Sequence, residues 1–124
     1  MYSILPYNIS LTLLTDLYQL TMAYGYWKSG KDEQIATFNL FFRRHPFGGN
    51  YTIVSGLAYV LDFLNNFKFR KEDIDYIKRL KLFDRDFLDY LKDLKLSVTV
   101  DAIPEGTIVF PREPLIRVTG PIYS

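Results

Sequence analysis

Residues 13–27 read LLTDLYQLTMAYGYW, and the organisation of the chain follows from this stretch. Asp16 has the side chain of a helix N-cap, and Gln19 follows three positions later, as in a capping box. Leu17, Leu20, Tyr24 and Trp27 then recur at helical spacing and predict one buried stripe. Tyr18, Met22 and Tyr26 form a second stripe on a neighbouring face. Gly30 stands where a left-handed residue would close the helix. Gly25 inside a helix costs about 1 kcal/mol relative to alanine, so close approach of another backbone is expected there.

Downstream, residues 35–44 (IATFNLFFRR) alternate as a strand. Ala36, Phe38, Leu40 and Phe42 share one face, and Thr37, Asn39, Phe41 and Arg43 share the other. His45 to Asn50 form a loop, Tyr51 to Val54 a second short strand, and Leu57, Val60, Leu61 and Leu64 an amphipathic helix. From Lys71 the pattern becomes charged. Ile74, Ile77 and Leu80 mark the inner side of one helix; Phe87, Leu88 and Leu91 mark that of another, capped by Asp84. Both are expected as solvated outer elements. Leu96 to Ile103, Thr107 to Phe110 and Leu115 to Thr119 read as strands. The turn at Pro104-Glu105-Gly106 has its proline at the favoured corner. At least four strands with helices between strand groups make the class α+β.

The 124 residues allow one domain, residues 1–124, with enough chain to bury a core. Fifteen Lys and Arg against 14 Asp and Glu give a net charge of +1. That balance argues against a dedicated nucleic-acid binder, which needs a basic excess. Without cysteine there are no disulfides or thiolate metal sites. One histidine cannot build a histidine-rich metal centre. No apolar run is long enough to span a bilayer, and MYSILPYNIS lacks the basic and apolar regions of a secretory signal. A cytoplasmic location is the resulting expectation. Ten Phe, ten Tyr and one Trp exceed what a small monomer readily buries, so some are expected to meet another surface.

Neither GxxxxGK[ST] nor GxGxxG occurs, and HExxH and GxSxG are also absent, so no motif carries a complete active site. Three clusters are candidates. Tyr18 stands off the main buried stripe at a helix start, where its ring could stack on a flat ligand; Asp16 caps the same helix. A core aromatic behind a plain cap explains the same residues. Arg43 shares the polar strand face with Asn39 and offers a fork for phosphate or carboxylate oxygens, unless it is simply solvated or paired. Nothing orients His45, and Pro and Gly alone account for the spacing around Glu105.

At these positions the chain resembles a known family. LLTDLYQLTMAYGYW (13–27), FNLFFRRHPFGG (38–49), SGLAYVLDFL (55–64) and IPEGTIVFPREPLIRVTGP (103–121) are similar to the N-terminal region of nicotinate phosphoribosyltransferase. The similarity runs from about residue 11 to 121. It implies the α+β N-terminal domain of a type II phosphoribosyltransferase, lacking the α/β barrel that follows in the family. It also implies an enzyme that condenses nicotinate with phosphoribosyl pyrophosphate to nicotinate mononucleotide in NAD salvage. ATP hydrolysis is coupled through a phosphorylated histidine, and Mg²⁺ accompanies the pyrophosphate. The resemblance implies a homodimer with sites at the subunit interface, no membrane and no nucleic acid.

By motif position, Tyr18 corresponds to the tyrosine that stacks on nicotinate across that interface. Asp16 resembles a site-lining acid of the related nicotinamide enzymes, and Arg43 is the candidate phosphate contact. The family's phosphorylatable histidine belongs to the barrel, so His45 is not that residue, and the chain alone is expected to hold neither Mg²⁺ nor ATP. The expectation is an N-terminal fragment, inactive and poorly stable by itself. A non-catalytic subunit-interaction module is the alternative; an aromatic strand surface binding single-stranded RNA is a third reading.

Overall fold

A computed structural model describes residues 10–124. The signal-peptide argument rests on residues 1–10, nearly all of them outside that range. Helix α1 (Leu17–Lys28) leads into strand β1 (Ile35–Leu40), a 3₁₀ turn (Pro46–Gly48) and strand β2 (Thr52–Ile53). Helices α2 (Leu57–Asn66), α3 (Lys71–Arg79) and α4 (Arg85–Asp93) follow, and then strands β3 (Thr99–Ala102), β4 (Ile108–Val109) and β5 (Ile116–Pro121). The class is α+β, as expected, and no barrel forms among the described residues. The strands make two antiparallel sheets, β1-β5-β3 and β2-β4.

The start and end of α1 follow from its sequence. The Gln19 side-chain oxygen accepts the Asp16 N–H at 3.2 Å, the backward arm of a capping box. At the other end Gly30, at φ 65°, donates to Trp27 O at 3.1 Å, and Lys31 donates to Tyr26 O at 2.9 Å. This pair of bonds is a Schellman closure, and the positive φ explains the glycine. Gly25 behaves differently from expectation: nothing among the described residues lies within 4 Å of a Cβ built there. The close backbone approach occurs at Gly120 instead, where a Cβ would stand 2.6 Å from Ser97 O.

The largest departure concerns α3 and α4. They were expected as solvated outer elements, yet the main core is built on them. Ile77, Phe87, Leu88 and Leu91 are buried, and Leu20, Ala23, Tyr24 and Trp27 of α1 pack against them. The charged residues Lys71, Glu72, Asp75, Lys78, Arg79, Arg85, Asp86, Asp89, Lys92 and Asp93 are all exposed. They occupy the outer faces, so a high charge content coexists with an inner face that is apolar apart from Asp73. Leu17, placed on the buried stripe by periodicity, is 49% exposed, because the stripe meets the core only from Leu20 onward.

Phe87 is the hub. Its ring lies 4.9 Å from Tyr24, 5.5 Å from Trp27, 5.6 Å from Phe83 and 5.9 Å from Tyr90, centroid to centroid. These separations suit offset and edge-on aromatic packing. Asp73 is buried too, but its Oδ2 accepts the Ser10 hydroxyl at 2.7 Å and the Arg70 N–H at 2.8 Å. The buried carboxylate is therefore hydrogen-bonded, as burial requires.

Strand β1 is shorter than its alternation. It pairs with β5 from Ile35↔Pro121 to Leu40↔Ile116 and then loses a regular partner. Pro111 and Pro114 have no N–H to donate, so only Leu115 N–H to Leu40 O and Arg112 N–H to Phe42 O, each 2.8 Å, continue the contact. The turn after β3 is also corrected. Thr107 N–H bonds to Pro104 O at 3.3 Å, so Pro104 is the first residue of the turn rather than its corner, and Gly106, at φ 85°, takes the position a type II turn reserves for positive φ.

Truncating the hub tests this account of the core. Phe87→Ala is expected to lose about 3–5 kcal/mol, and Gly120→Ala to be destabilised by the clash with Ser97, both read by urea denaturation. A chain carrying Phe87→Ala with an unchanged midpoint would contradict the packing described.

Candidate functional site

The site is built on the face of α1 that the core leaves uncovered. Tyr18 is 59% exposed and Met22 49% exposed, one turn apart. With Tyr26 they line one wall of a cavity of about 630 Å³. Phe38 of β1, Phe63 and Phe67 at the end of α2, and Tyr90 of α4 line other parts of it. That volume falls among small-molecule pockets, and its lining is mainly apolar and aromatic with few polar groups. Such walls favour a flat ring. Tyr18 is off the core, in keeping with its position off the buried stripe.

The apolar face of the larger sheet opens on the same side. The register places Phe38 opposite Val118 and Leu40 opposite Ile116. Val100 stands opposite Val118 on the far strand. Phe38 and Leu40 remain 63% and 55% exposed. The other face is polar: Thr37 and Thr119 hydroxyls lie 3.0 Å apart, and Arg117 pairs with Asp101 at 3.0 Å.

The remaining candidates occupy other places. Asp16 is exposed at the N-cap of α1 and is not part of the cavity lining. Arg43 is exposed in the bend after β1, beyond the end of regular pairing, and also lies outside the cavity. The alternation that grouped it with Asn39 ends at Leu40, so that grouping does not hold. Asp16 and Tyr18 share a helix start; Arg43 belongs to a separate loop.

His45 and Glu105 have structural partners. His45 Nδ1 lies 2.9 Å from Thr52 Oγ1, and its ring stands 5.7 Å from Phe42 and 6.0 Å from Phe110. It fastens the loop to β2. Glu105 Oε1 accepts the N–H groups of Gly56 at 2.8 Å and Ala58 at 3.2 Å. Gly56, at φ 101°, has no side chain to cap α2, so a carboxylate from a distant turn does so.

Two features of the site were not read from the sequence. Tyr90 donates to Asp32 Oδ2 at 3.3 Å at the cavity wall. Burial, and then the nearby Asp32 charge, push its phenol well above the usual range, so it stays neutral. The second is a clip joining α1 to the start of α4. Lys28 forms an ion pair with Asp84 and lies over the Tyr24 and Trp27 rings, 5.5 and 5.7 Å from their centroids. Asp84 is the N-cap of α4, yet its side chain makes no capping bond and serves this contact instead. The basic residue in the last turn of α1 was the available signal.

Residues 13–124 match the family model of the nicotinate phosphoribosyltransferase N-terminal domain. An Arabidopsis thaliana protein named nicotinate phosphoribosyltransferase 2 is 51% identical over 120 residues, covering 94% of this chain and 22% of that protein. A Homo sapiens nicotinate phosphoribosyltransferase is 46% identical over 113 residues, covering 89% of this chain and 21% of its own length. The crystal structure of human nicotinic acid phosphoribosyltransferase superposes with a TM-score of 0.78 at 44% identity, over 88% of this chain and 22% of that one. The chain thus spans about a fifth of the length of these relatives.

The clip sets a pH dependence. Hydrogen bonds from Lys28 and then Tyr24 hold the Asp84 carboxyl below its usual range. Its contribution is therefore present above the unfolded carboxylate pKa and is lost as pH falls through the lowered folded value. Hydrogen bonding to Asp84 is the main cause raising both Lys28 and Tyr24, so theirs is lost as pH rises through their folded values. Asp84→Asn is expected to flatten the acid and alkaline limbs of a stability-versus-pH curve. Limbs as steep as in the unsubstituted chain would remove the clip from the account.

Proposed function

The chain belongs to the nicotinate phosphoribosyltransferase N-terminal domain family, and from that premise we propose that it supplies one wall of a composite active site. The reaction is condensation of nicotinate with phosphoribosyl pyrophosphate to nicotinate mononucleotide and pyrophosphate, the entry of nicotinate into NAD salvage. In this reading Tyr18 stacks on the nicotinate ring. The observation that carries it is the exposed Tyr18 ring lining an aromatic cavity, turned away from the core. Asp16 lines the same helix start. Arg43 contacts a phosphate of the second substrate. The complete assembly is a cytoplasmic homodimer acting as an ATP-coupled, ligase-type transferase. For membrane association, no helix among the described residues is long and apolar enough to cross a bilayer.

The chemistry needs more than this chain's residues offer. Departure of pyrophosphate requires concentrated positive charge around the leaving group. Among the described residues there is no group of three or more His, Cys, Asp or Glu side chains able to hold a metal ion. The single histidine is engaged by Thr52. These residues therefore do not fit a Mg²⁺ cage or a phosphorylatable histidine. In this reading Mg²⁺ and ATP are held by the parts of the full-length relatives that lie outside the matched region. The chain's own part is orientation: a stacked ring held in register with the reacting centre.

A second reading, a non-catalytic subunit-interaction module, draws on the exposed Phe38, Leu40, Phe41 and Phe47 side chains. Complementation separates the two. Co-expressing this chain with a plant relative that lacks its matching N-terminal region should restore nicotinate mononucleotide formation. Tyr18→Ala should then lower activity by about ten- to hundredfold, from a ring stack worth about 1–3 kcal/mol, while Tyr18→Phe keeps most of it. Restored activity indifferent to Tyr18→Ala would overturn the site assignment. A stable complex without activity would favour the interaction module.

A further inference from the structure

The larger sheet has two open edges among the described residues, because β1 and β3 each pair only with β5. Folded proteins blunt such edges with charge, proline, bulges or short strands. Strand β3 is blunted in this way: it has four residues, carries Asp101 and ends just before Pro104. Strand β1 is not. Its six residues run in unbroken register with β5, and the stretch IATFNLFF (35–42) holds no charge, proline or glycine.

The open side of β1 follows from its hydrogen bonds. The carbonyls of Gln34, Leu40 and Phe42 accept the N–H groups of Ile122, Leu115 and Arg112, all on the β5 side. Bonding direction alternates from residue to residue along an antiparallel strand. Ile35, Thr37 and Asn39 therefore turn their N–H and C=O groups away from β5, and no backbone group among the described residues bonds to them. Their side chains are exposed as well. The edge thus offers three donors and three acceptors in a row, one of each per residue, with no charged side chain to repel an incoming strand.

We propose that this edge adds a strand, and that the strand is β1 of a second copy of the chain, antiparallel about a two-fold axis at Thr37. Thr37 then stands opposite its own copy, Ile35 opposite Asn39, and Ala36 opposite Phe38. This register pairs the open backbone groups of both edges. On the apolar face the small Ala36 leaves room for Phe38 of the second copy, which is 63% exposed in the single chain. The absence of charge is what makes the edge fit itself, since an isologous contact sets each residue type against a fixed partner from the same strand, and like charges there are unfavourable. Such a contact closes at two copies and joins two three-stranded sheets into one of six strands. It uses this chain alone and stands whether or not Tyr18 serves a composite site.

Sedimentation velocity of the 124-residue chain over a concentration series should show a monomer–dimer equilibrium. Ile35→Lys combined with Asn39→Lys sets lysines opposite each other at both ends of the ladder and should weaken the dimer by about tenfold. Ile35→Lys combined with Asn39→Glu sets opposite charges at the same places and should restore it. Both double variants place two charged side chains at the same exposed positions, so a folding defect would affect the two alike, whereas the interface separates them. A second measurement uses the absence of cysteine. Thr37→Cys introduces one thiol whose Cα would lie about 5.5 Å from that of its copy, within disulfide reach. Under mild oxidant it should cross-link far faster than Thr99→Cys on the opposite edge strand. A monomer at every concentration, a dimer equally strong in both double variants, or equal cross-linking from the two thiols overturns the proposal.

Discussion

The packing of α1 against Phe87 is the contact on which the rest of the structure depends. Without it the first helix would be a 12-residue segment with little stability of its own. Tyr24 and Trp27 reach the phenyl ring from α1, Phe83 and Tyr90 reach it from the α4 side, and the Lys28–Asp84 pair closes the helix end over them. Most of the energy comes from the buried aromatic area, because an ion pair that is about half exposed adds little. Its contribution is to fix rotation. Once Tyr24 and Trp27 face inward, Tyr18 and Met22 must face the cavity, and the cavity-facing surface follows from the core-facing one.

Much of this was legible in the residues. Asp16, Gln19 and Gly30 mark the ends of α1 through local chemistry, and Phe87, Leu88 and Leu91 mark the buried side of α4 through spacing alone. The position of α3 and α4 is not legible from their charge content. It reports on the outer face of a helix and is silent about the inner one. Leu17 and Gly25 show the opposite limit. Periodicity assigns a face, but where that face meets another element is a tertiary fact.

The site was legible in part for the same reason. Tyr18 stood off the buried stripe, so helical geometry alone freed its ring. Alternation groups Arg43 with Asn39, but Arg43 lies three residues past Leu40, where prolines in the partner segment end the regular pairing. No local pattern announces Glu105 as a cap for α2 or Arg112 as the neighbour of Arg43, since each depends on segments far apart in sequence. The resemblance to nicotinate phosphoribosyltransferase reached the family, whereas the part Glu105 plays at the start of α2 comes only from the fold.

The bond from Glu105 to the start of α2 has a consequence for biosynthesis. The two partners are 49 residues apart, and Gly56 cannot substitute for the missing acceptor. At about 5–20 residues per second, a ribosome releases the beginning of α2 several seconds before it makes the carboxylate that completes it. During that interval the nascent helix carries unfulfilled amide donors and an uncovered apolar side. The start of α2 therefore stays uncapped until the β3–β4 turn has been made.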